Sequence, residues 1–382
     1  MIEDIAESDK LDGCPHPRKT LNIFGHKEAQ SSILNAIKIN KIHHAWLICG
    51  PKGIGKSTLA WKIARSLLIS KSNSINDNNT EFSNKLEIPE NNPIYKRTLA
   101  LTEPKLHLLR KNWNLKTEKF SQNITIDDVR SLKKFFSLSS TDNGRRVVII
   151  DSADDLQTAS ANALLKILEE PPVNTTILII SHNPSILLPT IKSRCRLLKL
   201  KPLNLVDLQS GVHQALEIES GIDDRILELA HGSVGNAIHL LNNNGLEIYK
   251  SLCTLFSTKS GLNRVKAIEL ASKATNKNSR QYFDTLISMI VIFTNRLALF
   301  GAGAPPQNEA IENEFQVLQH LAPNLGSARI WCEQLPVILN SAVKANKLNI
   351  DPSSVILDLL LKLDQITQNI QLTERKRYHD NR

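Results

Sequence analysis

The sequence predicts a parallel α/β domain followed by helical domains. Two aliphatic runs, at 147–151 and 175–181, are almost unbroken in β-branched and aliphatic residues, as interior strands are when helices cover both faces of a parallel sheet. Segments with helical apolar spacing separate the strand-like runs, so strand and helix alternate from about 20 to 203. Beyond Pro202-Leu203 the strand pattern disappears and only helical periodicity remains. A chain of 382 residues exceeds what one hydrophobic core serves, so two or three domains are expected.

Taken in order, residues 1–19 carry charges, Gly13 and two prolines without apolar periodicity, which predicts a loose leader. Ala29, Ile33, Ala36 and Ile37 then mark a helix after a glycine turn, and 45–49 is a short buried strand. Leu59, Ile63, Ser66 and Leu67 line one face of a second helix reaching about 68. Residues 71–92, rich in Asn and Ser, predict a mobile surface insert. A strand is expected at 105–111, then a helix with Val129, Leu132, Phe135 and Phe136 on one face, capped by Thr125 or Asp127. The helix in SANALLKILEE must end before Pro171-Pro172, and 195–201 is the last strand.

Residues 204–248 are expected to form a small helical lid of two or three helices broken at Gly211, Gly221 and Gly232. The remainder, 249–375, reads as an all-helical domain with helices at 282–298, 315–321 and 328–345. Its last helix begins with Asp351 as N-cap and Pro352 in the first turn, and buries Ile356, Leu359, Leu360, Leu363 and Ile366.

Composition narrows the function classes. The chain is 41% hydrophobic and 22% charged with net charge +9, which suits a folded protein and is compatible with a polyanionic partner without requiring one. Five scattered cysteines form no CxxC and no disulfide framework, so a reducing, cytoplasmic setting is expected. The acidic start lacks a secretory apolar core, and the stretch LISMIVIFTNRLALF is broken by Asn295 and Arg296, so a buried helix is favoured over a membrane span. No paired carboxylates of a polymerase or nuclease site are recognisable.

The chemistry-bearing motif is GPKGIGKS, residues 50–57, between a strand and a helix. Gly50, Gly53 and Gly55 let the backbone curl so that its N–H groups face phosphates. Lys56 adds a positive charge at the β/γ oxygens, Ser57 is a Mg²⁺ ligand, and Thr58 follows in the first turn. Asp151, closing the strand at 147–151, is the acid expected to hold Mg²⁺. The next position, where a fast ATPase places a water-polarising glutamate, is Ser152, and a hydroxyl is no general base at neutral pH. Asp154 and Asp155 are read as caps of the following helix in preference to a partial substitute for that glutamate. His43-His44 are expected to point to opposite faces of an extended stretch and carry no metal assignment.

The segments HHAWLICGPKGIGKSTLA, VVIIDSADDLQTASANALLKILEEPP and LLPTIKSRCRLLKLKPL, in that order, resemble the delta-prime family of bacterial DNA polymerase III clamp-loader subunits, within the AAA+ class. The resemblance covers roughly 20–245. It implies that Arg194, in SRC, is a finger reaching the nucleotide of an adjacent subunit; without that context Arg194 would be a surface arginine beside Lys192, Arg196, Lys199 and Lys201. Cys195 is then a packing residue. The resemblance places sensor-1 at Ser181 or Asn183, and puts Gly235 where active members carry a sensor-2 arginine. The family's four-cysteine zinc module is absent, since no cysteine falls between Cys49 and Cys195, so no zinc is expected.

The implied picture is an AAA+ domain at 20–203, a lid and a helical collar. It holds ATP or ADP with Mg²⁺, hydrolyses it weakly, and works with the other loader subunits, the sliding clamp and, through the complex, primed DNA. No membrane partner is expected. The alternative is an autonomous AAA+ motor acting on DNA, which would want both the catalytic acid and the sensor-2 arginine. A small-molecule phosphotransferase would leave SRC and the helical remainder unexplained.

Overall fold

The computed structural model of the chain describes residues 6–69, 86–137, 144–218, 221–257, 261–275, 279–348 and 350–380. They divide into two compact units: one runs up to Gly221 and includes His231–Asn236, the other comprises Ile222–Ala230 and the chain from Ala237 onward.

The first unit contains α1 (Lys27–Lys38), β1 (Ala45–Cys49), α2 (Lys56–Ile69), α3 (Pro93–Leu99), β2 (Leu106–Arg110), β3 (Trp113–Asn114), β4 (Lys119–Phe120), α4 (Ile126–Ser137), β5 (Arg146–Asp151), α5 (Thr158–Glu169), β6 (Thr175–Ser181), α6 (Pro189–Arg194), β7 (Arg196–Lys199) and α7 (Leu205–Leu216). Five strands form a parallel sheet in the order β2-β5-β6-β1-β7. The apolar runs make sense in this sheet. Trp46, Ile48, Val147, Ile149, Leu178 and Ile180 face α1 and α2, whereas Leu47, Val148, Ile150, Ile177 and Ile179 face the side chains of α4, α5 and α6. Successive residues thus enter opposite cores, and every position must be apolar.

Thr125 proves to be the cap of α4: its backbone N–H and hydroxyl donate to Asp128 Oδ2, both at 2.7 Å, while Asp128 N–H approaches Thr125 Oγ1 at 3.4 Å. Two elements lacked a sequence signal. Helix α3 is opened by Asn92, whose Oδ1 accepts from Ile94 N–H at 2.8 Å, with Pro93 in the first turn. The β3-β4 hairpin has two residues per strand, too few for periodicity, and pairs Trp113 edge-on with Phe120 at 4.8 Å. Of the expected insert, 71–85 lies outside the described residues, while Leu86 is buried in the core beneath α2.

The expected loose leader is overturned for residues 6–19. His16 is buried and its Nε2 lies 3.0 Å from Asp9. Glu7 pairs with Arg18 at 2.6 Å and with Arg110 at 2.9 Å, and Arg110 also pairs with Asp9. Helix α2 contributes two buried cations that donate to backbone carbonyls in and just after this segment, Arg65 to Arg18 and Lys62 to Leu21. Charge and backbone hydrogen bonds fasten this segment, which is why apolar periodicity did not reveal it.

Two other expectations need correction. Helix α7 runs unbroken through Gly211, where a Cβ would stand 2.7 Å from Val234 Cγ2, so the glycine accommodates packing and does not end the helix. The lid expected at 204–248 is no body of its own: α7 belongs to the first unit and the chain from Ile222 largely to the second.

The second unit takes in α8 (Asp224–Leu229), most of α9 (Val234–Asn242), α10 (Gly245–Leu255), α11 (Arg264–Ser272), α12 (Ser279–Gly301), α13 (Glu314–Leu321), α14 (Leu325–Lys347) and α15 (Pro352–Asp380). Tyr249, Phe256, Phe283, Phe293, Trp331 and Leu360 are among its buried side chains. Asp351 caps α15 as expected, accepting from Ser354 N–H at 2.9 Å. By length and composition 281–301 is apolar enough to cross a membrane, yet Phe283, Leu286, Met289, Ile290, Phe293 and Leu297 are spent on this core. Arg296, fully buried, forks onto Glu314 at 2.6 and 2.9 Å, and Glu314 also accepts from Tyr249 at 2.5 Å and Ala310 N–H at 2.6 Å. The arginine that interrupts the apolar run is therefore satisfied inside the unit.

Candidate nucleotide site

The glycine loop leaves the carboxyl end of β1 and enters α2, as predicted. Gly50 (φ +151°) passes so close to the chain after β7 that a Cβ would stand 2.5 Å from Leu200 O. Gly53 (φ +77°) is crowded by Ser233 and Gly235, whereas at Gly55 (φ +98°) none of the described residues lies within 4 Å of where a Cβ would stand. The loop is thus braced on its outer side and open at Gly55, and L side chains disfavour the positive φ of both Gly53 and Gly55.

Lys56 is buried and its Nζ donates to Gly50 O at 2.8 Å and Pro51 O at 2.5 Å. Burial lowers its ammonium to about 8, with Asp151 pulling the other way. Ser57 Oγ donates to Asp151 Oδ2 at 2.5 Å. Burial pushes the Asp151 carboxyl up to about 7, against the Ser57 hydrogen bond. The hydroxyl and carboxylate predicted as Mg²⁺ ligands are therefore adjacent, and the donor set, two oxygens beside a buried lysine, fits a magnesium-bound triphosphate. Thr58 follows within the first turn of α2.

The two acids beyond Asp151 do not cap α5, whose N-cap, Gln157, makes no side-chain capping bond. Asp154 instead accepts from Ser181 Oγ at 2.8 Å, His182 N–H at 2.5 Å and Asn183 N–H at 3.1 Å, tying the ends of β5 and β6 together. Asp155 accepts from Ser152 Oγ at 3.0 Å and Lys111 Nζ at 3.2 Å. Ser152 is itself buried. Both acids are thus engaged by groups around the ends of β5 and β6.

Both sensor-1 candidates have side chains already engaged, Ser181 with Asp154 and Asn183 Oδ1 with Ser185 N–H at 3.3 Å and the Ser185 hydroxyl. The residue between them was missed. Among the described residues His182 Nδ1 is buried without a hydrogen-bond partner, and burial together with the Lys56 charge lowers the imidazole to about 4. A histidine flanked by two more familiar polar residues gave no spacing signal. Gly235 N–H donates to Gly53 O at 2.9 Å and Ser233 Oγ to Lys52 O at 2.8 Å. A Cβ at Gly235 would stand 2.8 Å from Gly53 Cα, so no arginine fits there in this conformation.

Arg194 ends α6 and engages α5: its Nη2 lies 2.7 Å from Glu169 Oε1, and its Nη1 donates to Thr190 O at 3.0 Å. Cys195 caps α6, and burial raises its thiol to about 12, consistent with a packing role. His43 and His44 do not point apart; their rings lie 4.2 Å from each other, and His43 Nδ1 bonds its own strand at Ala45 O, 2.8 Å. The chain bends at His44, so the alternation of an extended segment does not apply.

A five-stranded parallel sheet in this order, with the P-loop strand β1 between β6 and β7 and the acid on β5, defines a P-loop domain of the AAA+ class. Residues 25–204 match the family model described as DNA polymerase III, delta subunit. The DNA polymerase III subunit delta' of Pseudomonas aeruginosa is 37% identical over 152 residues, covering 40% of this chain and 41% of that protein. The subunit gamma of Buchnera aphidicola subsp. Schizaphis graminum is 26% identical over 326 residues, 82% of this chain and 80% of that one. The subunit delta' of Escherichia coli is 28% identical over 221 residues, 57% and 61%. Over the matched residues the chain is thus similar to the delta', gamma and tau subunits of DNA polymerase III; the matches span about two fifths of the Pseudomonas relative and four fifths of the Buchnera one.

Proposed function

We propose that the chain is a delta-prime-type clamp-loader subunit that binds a nucleotide, hydrolyses it little, and supplies Arg194 to the nucleotide site of a neighbouring subunit. The observation that carries this reading is the state of the acids after β5: Ser152 replaces the water-polarising glutamate, and Asp154 and Asp155 are committed to Ser181, His182, Asn183, Ser152 and Lys111. Gly235, seated on Gly53, supports it independently.

Gly50, Gly53, Gly55 and Thr58 shape the phosphate cradle, Lys56 exchanges its carbonyl partners for phosphate oxygens, and Ser57 with Asp151 holds Mg²⁺. Bound Mg²⁺ supplies neutralising charge at the β/γ oxygens. At the end of β6 the polar side chain that would contact a bound nucleotide is His182, a neutral imidazole whose Nδ1 has no partner among the described residues, in preference to Ser181 or Asn183. The partners are the other loader subunits and the sliding clamp, with primed DNA reached through the complex in the cytoplasm.

Two measurements test this together. Lys56→Ala is expected to weaken binding of a fluorescent ATP analogue by about tenfold or more, and Arg194→Ala to lower the ATPase of the reconstituted loader by about 10²-fold. An unchanged complex rate with Arg194→Ala would remove the finger. Brisk hydrolysis by the chain alone would favour the autonomous motor.

A further inference from the structure

We propose that Glu169 is the positioning residue for Arg194; this rests on the reading of Arg194 as a group acting in a neighbour's site. Two helix ends meet there. Helix α5 terminates at Glu169 and α6 at Arg194, and the two helices pack against each other. Glu169 Oε1 holds Nη2 at 2.7 Å while the carbonyl of Thr190 holds Nη1 at 3.0 Å. Different nitrogens of one planar group are thus anchored to different helices, which fixes the plane as well as the position of the guanidinium.

These two contacts leave donors unspent, because a guanidinium carries five N–H groups in a rigid fork. The pair is also outward-facing, with side-chain exposures of 34% for Arg194 and 49% for Glu169. An ion pair so exposed adds little to folding. Its consequence is orientation: an arginine already held in one plane surrenders less freedom when it meets a phosphate than one sweeping through its rotamers. In this assignment Glu169 acts through the arginine alone.

The test uses the assembled loader with its hydrolysing subunits and measures DNA-stimulated ATPase, with Arg194→Ala as the floor. Glu169→Ala is expected to lower kcat by about three- to tenfold with KM for ATP unchanged. Glu169→Gln, which keeps an acceptor oxygen, should recover most of the rate. Glu170→Ala should match the parent, and the double variant Glu169→Ala/Arg194→Ala should fall no lower than Arg194→Ala alone. Thermal unfolding of the isolated chain should be the same with and without Glu169→Ala; if that variant unfolds early, Glu169→Gln decides, since a rate as low as that of Arg194→Ala there, at the parent's unfolding temperature, would contradict the assignment. A Glu169→Ala rate at or above the parent's, with Arg194→Ala still low, overturns the positioning role and leaves the finger standing. Equal rates for Arg194→Ala and the parent overturn the finger and this inference with it.

Discussion

At the scale of single residues, the site trades stability for a ligand. Asp151 sits where its carboxyl is pushed up to about 7 by burial, far above an unfolded aspartate near 4. Below about pH 4 both states hold the proton. Between there and about 7 the unfolded chain releases a proton that the folded chain retains, so stability falls as pH rises through that window. The penalty is complete above pH 7, at about 4 kcal/mol at most. Asp151→Asn should therefore raise the unfolding temperature of the ligand-free chain at pH 8 but not at pH 4, and should abolish the Mg²⁺-dependent part of nucleotide affinity. Unchanged stability at pH 8 would contradict this electrostatic reading. The adjacency of the loop at Gly50 to Ser57 and Asp151 was legible because the motif fixes residue types at set spacings between a strand and a helix. Asp154 and His182 were not, because an acid joining two strand ends and a lone imidazole leave no period.

At the scale of elements, the sheet was the most legible part: the runs at 45–49 and 175–181 coincide with β1 and β6, since strands buried on both faces admit only apolar residues. Helix α3 and the β3-β4 hairpin depend on an Asx cap and on one aromatic pair, signals confined to a few residues. The leader is held by Glu7, Asp9, His16, Arg18 and Arg110, contacts between distant parts of the chain that pattern reading cannot see. The start of α9 carries an element-level prediction. Gly235 lies against the P-loop backbone so closely that Gly235→Ala places a Cβ 2.8 Å from Gly53 Cα. The loop or the helix must shift, at a cost of about 1–3 kcal/mol. Chemical denaturation should show the loss, and nucleotide affinity should drop with it. A variant with parent-like values in both would mean that the contact at Gly53 is soft.

At the scale of the molecule, the described residues form two compact units, and Gly211, expected as a break, serves close packing inside α7. The second unit was legible only as helices; that it buries an Arg296-Glu314-Tyr249 cluster depends on residues up to 65 positions apart, between Tyr249 and Glu314. The proposed role joins both scales below it: the chain would grip a nucleotide in a cradle whose neighbouring acids, Asp154 and Asp155, are engaged elsewhere, and would lend Arg194 to another site. The most direct test is single-turnover hydrolysis of ATP prebound to the isolated chain with saturating Mg²⁺. The account predicts that bound ATP persists, with cleavage at least about 10²-fold slower than in the assembled loader. Cleavage by the isolated chain at the loader's own rate, abolished by Lys56→Ala, would contradict it.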